Sequence, residues 1–361
     1  MKLKKYLICV LMTVIFCPLS ILSEENLTDA ILDGLFKSSD YCQPFVSEFH
    51  STISKVELGY NKSYAEYNLQ SVTEKFDRPM IELHVGFEAP LFAYDIKKQN
   101  NTKDWSFAAT LPLSVHVLED IFEPVTAAVI NTDYRFGAPR FKTIKYLNET
   151  GFFKNVSLSW IPIFHECTHL GDEIIIYRKD VDFPITRINV SYEYTELQLT
   201  LNDVTEDNKN LHSFRLGATY RISDRGYGWF EVQDEAINVD SITDISKSEK
   251  RLEYYAEYQF QRTEGFLASP RFRNILSIDF RSRVRYGYPV YKMVDGNWET
   301  TPVKETSSWN INAYLGWKFY AKSESQSLGL FLHYFKGLNP YGQLRNYPGY
   351  GFLGLSLTYE P

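Results

Sequence analysis

Cysteine and methionine are scarce, with four of each in 361 residues. Cys9 and Cys17 fall in the apolar N-terminal stretch, so only Cys42 and Cys167 remain beyond it. Two cysteines are too few for a disulfide framework; they stand either as two free thiols or as one Cys42–Cys167 bridge, and free thiols are the expectation. Past the first 23 residues no apolar run reaches the roughly 18 residues that a spanning helix needs. Excess positive charge is lacking too: 38 Lys and Arg stand against 45 Asp and Glu, a net charge of −7. Lys2, Lys4 and Lys5 belong to the N-terminal stretch, so the remainder is more acidic still. That balance excludes the basic stripe of a nucleic-acid-binding surface. Solenoid repeats, low-complexity tracts, phosphate loops and nucleotide fingerprints are absent as well.

What is present is an N-terminal leader, many aromatics and a strict alternation. Lys2, Lys4 and Lys5 precede an apolar run from Tyr6 to Cys17, and Ile21 and Ser23 suit a cleavage site. Residues 1–23 are therefore expected to be a signal peptide. Aromatics make up 16% of the chain, with 26 Tyr and 25 Phe, and mean hydropathy is only −0.29. Residues 24–52 do not alternate. Leu27, Ile31, Leu32 and Leu35 are spaced as on a helix, which predicts a short amphipathic helical segment, periplasmic or tucked against the rest.

From about residue 53 to the end, period-2 alternation dominates. In "NILSIDFRSRVRY", Leu276, Ile278, Phe280, Val284 and Tyr286 oppose Ile275, Ser277, Asp279, Arg281, Arg283 and Arg285. Many such stretches run ten residues or more, whereas soluble strands average about five or six and a tilted membrane-spanning strand needs about 9–11. The polar faces carry Arg135, Arg187, Arg215, Arg221, Arg281, Arg283 and Arg285 against Glu82, Asp133, Glu193, Glu253, Glu257 and Asp279. A narrow lumen filled with ion pairs accounts for them. Residues 53–361 thus predict an all-β antiparallel transmembrane barrel of 12–14 strands in the bacterial outer membrane. Candidate strands include 126–136, 153–165, 185–194, 196–202 and 229–237. Long connections at 287–306 and 336–349 alternate with a short one at 321–326, as outer loops alternate with periplasmic turns; the long 137–152 connection fits that rule poorly. The terminal "YGFLGLSLTYEP" is an amphipathic strand suited to the barrel assembly machinery. Expected partners are outer-membrane lipid, that machinery and small solutes; no cofactor is expected to be needed for folding.

Three stretches, "INTDYRFGAP" (130–139), "HECTHLGDE" (165–173) and "NPYGQLR" (339–345), resemble segments of a bacterial outer-membrane family known as domain of unknown function 1207. The resemblance spans roughly residues 50–359 and implies a barrel in the outer membrane. It implies no activity. In the family pattern His-x-Ser-Ser-His-Leu-Gly-Asp-Glu, Cys167 and Thr168 replace the two serines.

"FHECTHLGDE" (164–173) admits four readings. His165 and Cys167 have the i, i+2 spacing that puts a base and a nucleophile on one face of a strand, as in outer-membrane lipid hydrolases that use a His-x-Ser pair on their outer wall. His165, Cys167 and His169 together form a candidate zinc set. A structural reading makes His169, Gly171, Asp172 and Glu173 an anchor for the outer loop, paired with lumen arginines. Arg281, Arg283 and Arg285 also suit the lining of a narrow anion-selective pore. Parity distinguishes these readings. Val156, Leu158, Trp160, Pro162 and Phe164 form the apolar side, so His165 and Cys167 are expected to face the lumen, the wrong wall for a lipid hydrolase.

Overall fold

A computed structural model describes residues 44–67, 72–98, 100–121, 128–147, 153–170, 191–203, 210–223, 229–230, 243–244, 250–264, 268–269, 271–285, 288–294, 297–303, 305–321, 326–342 and 348–360. The leader and the helically spaced Leu27, Ile31, Leu32 and Leu35 of the expected 24–52 segment lie outside them.

Long strands follow the alternation. In chain order they are β1 (Ser54–Tyr67), β2 (Val72–Lys97), β3 (Lys103–Asp120), β4 (Ala128–Gly137), β5 (Arg140–Tyr146), β6 (Asn155–Leu170), β7 (Ser191–Asp203), β8 (Asn210–Arg221), β9 (Trp229–Phe230), β10 (Thr243–Asp244), β11 (Leu252–Arg262), β12 (Phe272–Arg285), β13 (Tyr288–Val294), β14 (Asn297–Val303), β15 (Thr306–Tyr320), β16 (Ser327–Leu338) and β17 (Pro348–Glu360). Neighbouring wall strands pair antiparallel, and β1 pairs with β17 from Ser54↔Tyr359 to Lys62↔Gly351. The wall is therefore a closed barrel of 12 strand positions, β4 and β5 sharing one between β3 and β6. Closure leaves no sheet edge unpaired. The β13–β14 and β9–β10 ladders stand apart from the wall.

Three expectations change. The described residues of the candidates 185–194 and 196–202 form one strand, β7, and of 229–237 only Trp229 and Phe230, the strand β9, lie among the described residues. The long 137–152 connection does not exist as such. Residues 138–139 merely interrupt one strand position, and the real turn runs from Leu147, whose N–H donates to Lys154 O at 2.8 Å, back into β6. Ala138 and Pro139 were misleading because a proline cannot donate to a ladder, so the pattern reads as a break.

Each strand puts apolar side chains outside. On β16, Leu328, Leu330, Leu332 and Tyr334 are exposed while Phe331, His333 and Phe335 are buried. On β17, Leu353, Leu355, Leu357 and Tyr359 point out. Aromatics sit toward both ends of this band on β12 and β15: Trp309 stacks on Phe280 at 4.7 Å toward the loop end, and Phe272 on Trp317 at 6.4 Å toward the end that carries β1's start and β17's finish. The interior is polar. Arg135, Arg215, Arg221, Arg281 and Arg283 are buried there, as are Asp133, Glu253, Glu257 and Asp279. Arg285 is half-buried at the loop end of β12.

Candidate functional site: the plugged lumen and the outer wall beside it

Residues 44–53 enter the barrel and fill it. Val46 N–H donates to Gln259 Oε1 at 3.0 Å, Ser47 and Ser277 share a 2.8 Å hydroxyl contact, and Asn312 Nδ2 donates to Ser47 O at 3.0 Å. Glu48 accepts from Arg215 Nη1 at 2.8 Å and lies 3.6 Å from Arg140. Burial pushes the Glu48 carboxyl upward, but Arg215 and then Arg140 outweigh it and hold it down at about 2. Phe49 lies against the guanidiniums of Arg283 (4.4 Å), Arg281 (5.2 Å) and Arg135 (5.7 Å). Gly86 of β2 is what lets the segment lie so close: a Cβ there would overlap the backbone of Thr52. Wall–wall pairs complete the network, with Arg215 on Glu257 at 2.9 Å, Arg281 on Asp279 at 3.0 Å, Arg140 on Glu88 at 3.1 Å and Arg135 on Glu166 at 3.1 Å. Buried charge needs such pairing.

From the loop end, residues 339–342 fold into the same lumen. Arg283 Nη1 donates to Asn339 O at 2.8 Å, and Gly342 N–H donates to Asp133 Oδ2 at 3.0 Å. Asn131 Nδ2 donates to Asp133 Oδ1 at 2.9 Å, and Thr168 Oγ1 contacts Asn131 Oδ1 at 3.5 Å. A Cβ on Gly342 would overlap the Thr168 methyl. The three stretches singled out in the sequence thus converge on one interior junction. Between plug and loop, a cavity of about 50 Å³ remains, lined among others by Glu48, Glu57, Glu82, His84, His116 and His333.

The parity expectation for His165 and Cys167 is overturned. Ile161 pairs with Glu196, but Phe164 pairs with Tyr194, so β6 uses three residues where β7 uses two. This β-bulge sits at Pro162, opposite the β4–β5 break, where Ala138 N–H donates to Ile163 O at 2.8 Å. Ser157, Ser159 and Ile161 face the lumen before the bulge; Phe164, Glu166 and Thr168 face it afterwards. An extra residue exchanges the two faces. His165 and Cys167 therefore lie on the outer wall, between the exposed Tyr134 and Phe136 of β4 and residues of β7. Glu193, expected in the lumen, is also outside: its Oε1 lies 3.3 Å from His165 Nδ1, the side chains being 36% and 25% exposed. The Phe136 ring packs on the imidazole at 5.1 Å. Cys167 is a free thiol on the same outward face. Among the described residues no hydrogen bond joins it to His165, so a side-chain rotation must precede any proton transfer between them. The His169 backbone pairs with Thr132 on β4, and Gly171, Asp172, Glu173 and Arg187 lie outside the described residues.

Sequence reasoning missed the plug because residues 44–53 have no periodicity. It missed Glu57, His84, His116 and His333 for another reason. Their strands were legible, but nothing in one strand's pattern says which other strand it will face across a barrel.

The chain has the fold of an outer-membrane β-barrel. No family model matches it, and no curated protein matches it. Solved structures resemble it at low identity: an outer membrane channel from Pseudomonas putida F1 (11% identity, TM-score 0.42, 90% of this chain and 98% of that one), the transport unit of the autotransporter AIDA-I from Escherichia coli (10%, 0.42, 93% and 96%), and outer membrane phospholipase A from Escherichia coli (9%, 0.36, 85% and 91%). At these scores the likeness carries no activity across.

Proposed function

We propose that this chain is an integral outer-membrane barrel whose lumen is plugged at rest, a structural barrel or a narrow pore that opens only when residues 44–53 withdraw. One observation carries the reading: Glu48, near the centre of the plug, is clamped by Arg215 and Arg140 from the wall. A wall already saturated with ion pairs gains nothing from admitting an anion while that clamp holds. The outward apolar band with aromatics at both ends supports a bilayer setting, with the termini of β1 and β17 toward the periplasm and export by the leader. Planar-bilayer recording of the refolded chain tests it. Silence from the full chain, with stepwise conductance once residues 44–52 are deleted, is the expected result. Steady conductance from the intact chain contradicts a resting plug.

A second reading rests on the bulge, which brings His165, Cys167 and Glu193 to the wall that meets lipid acyl chains and headgroups. A carboxylate that orients an imidazole, with a thiol two residues along, is the arrangement for acyl transfer to a nucleophile. Phospholipid and lipopolysaccharide hydrolysis by the refolded chain tests this reading. Release of fatty acid that is lost in Cys167→Ala and His165→Ala supports it, and no release from the wild type removes it.

A further inference from the structure

Glu57 of β1 and Glu82 of β2 are Cα partners across one ladder, and both carboxylates point into the lumen. His333 of β16 joins them: its Nδ1 lies 3.0 Å from Glu57 Oε2. One ligand atom from each of the three lies within 4.8 Å of those from the other two. We propose that Glu57, Glu82 and His333 hold a first-row divalent transition-metal ion inside the lumen.

Four observations carry this. First, the donor types fit. Two carboxylates with imidazole nitrogen form a ligand set for zinc and its neighbours, and ligands about 2 Å from such an ion lie roughly 3.3 Å apart. Small side-chain adjustments bring the three together. Second, the other charges of the lining are already engaged. Glu48 is taken by Arg215 and Arg140, and Arg135 by Glu166. Lys55 is the one remaining cation of the cavity lining, and its ammonium donates to Val46 O at 2.6 Å and Tyr314 Oη at 3.4 Å. Glu57 and Glu82 therefore face each other in a buried setting, with His333 against Glu57 and Lys55 in the same lining. Third, His84 lines the same cavity, is 7% exposed, and its Nε2 has no hydrogen-bond partner among the described residues. The cavity's ~50 Å³ exceeds what a water-sized occupant needs.

Fourth, groups behind the carboxylates fix their orientation. Tyr314 Oη donates to Glu57 Oε1 at 3.0 Å, Tyr350 Oη donates to Glu82 Oε1, and His333 Nε2 meets Asn312 Oδ1 at 2.7 Å. A ligating histidine commonly has its second nitrogen engaged in this way. Nε2 is thus engaged by Asn312, and Nδ1 is the nitrogen that faces Glu57.

The location gives the site a purpose. β1 and β17 form the seam where the barrel closes, and β16 lies on the far side of β17. His333 pairs with Gly354, and Gly354 with Gly59. The imidazole thus crosses the seam over a residue with no side chain. A metal ion here ties β16 to β1 and β2 across the closing strand.

Zinc alone is the probe. The refolded full chain is stripped with a chelator, desalted and titrated with Zn²⁺ against a chromogenic competitor. One equivalent is expected to bind, and Glu57→Gln and His333→Ala are each expected to weaken it about 100-fold. The triple variant H165A/C167A/H169A is expected to keep it, which separates this site from the outer-wall cluster. Co²⁺ is expected to give the d–d bands of an ion with N and O ligands and no thiolate charge-transfer band. Zinc should also raise the temperature of heat-modifiable unfolding in the wild type and leave Glu57→Gln unmoved. His333→Gln, scored the same way, serves if Glu57→Gln fails to fold. No bound zinc in the wild type overturns the proposal, as a proton shared by Glu57 and Glu82 would then balance the pair. Zinc retained undiminished by the variants, or a thiolate band with Co²⁺, overturns it equally.

Discussion

Arg215 Nη1 donates both to Glu48 Oε2 at 2.8 Å and to Glu257 Oε2 at 2.9 Å, so one wall guanidinium is shared between the plug and the adjacent strand. The Phe45 ring lies 4.2 Å from the same guanidinium. The plug is thus part of the ion-pair network of the wall.

Glu48→Gln removes the plug's charge and leaves Arg140 and Arg215 short of a partner in a buried site. Losing one member of a buried pair costs roughly 3 kcal/mol. The midpoint of urea unfolding, followed by loss of the folded gel band, should fall accordingly. Single-channel recordings should show openings that the wild type lacks.

Acid should release the plug. The Glu48 carboxyl titrates at about 2 in the folded chain against an ordinary value of 4.5. A folded value below the unfolded one contributes stability that is fully present above about 4.5 and lost as pH falls toward 2. Protease cleavage within residues 44–53 of the reconstituted barrel should rise over that window and not between pH 6 and 8.

Gly86→Val fills the space that Thr52 occupies. The barrel wall should still close, because β2 keeps its ladder hydrogen bonds, but residues 44–53 should not dock. Retained heat-modifiable migration together with raised conductance is the expected pair of results. Loss of both would assign Gly86 to the wall instead.

Cys167 should report lipid. With the other cysteines replaced by alanine, a nitroxide on Cys167 should collide readily with oxygen dissolved in the bilayer. A nitroxide at Thr168→Cys, placed in a Cys167→Ser chain, should not. Reversed accessibilities would remove the bulge as the feature that sets this face.

Much of the wall was legible in the sequence. Leu353, Leu355 and Leu357 against Gly354 and Ser356, or Arg281 and Arg283 against Phe280, declare two faces whatever the strand's neighbours. Lumen arginines followed from the same alternation. The cluster at 165–173 was legible only as a set of reactive types. Its facing depends on one extra residue near Pro162, and parity counted from Val156 runs straight through that bulge. Glu193 was misplaced for a related reason: its polar character suited the lumen, but a carboxylate beside an imidazole is also stable outside.

The sequence by itself determined the barrel, because alternation over strands this long has few other solutions, and it determined that charges would fill the interior. Tertiary structure decided everything that depends on distance between strands. It placed Glu48 against Arg215, 167 residues away in the chain, and His333 beside Glu57 across the closing seam. It also turned His165 and Cys167 outward. The physical reason is that strand periodicity is local, one residue at a time, whereas barrel closure, plug docking and the register after a bulge are set by pairings between segments far apart in the chain.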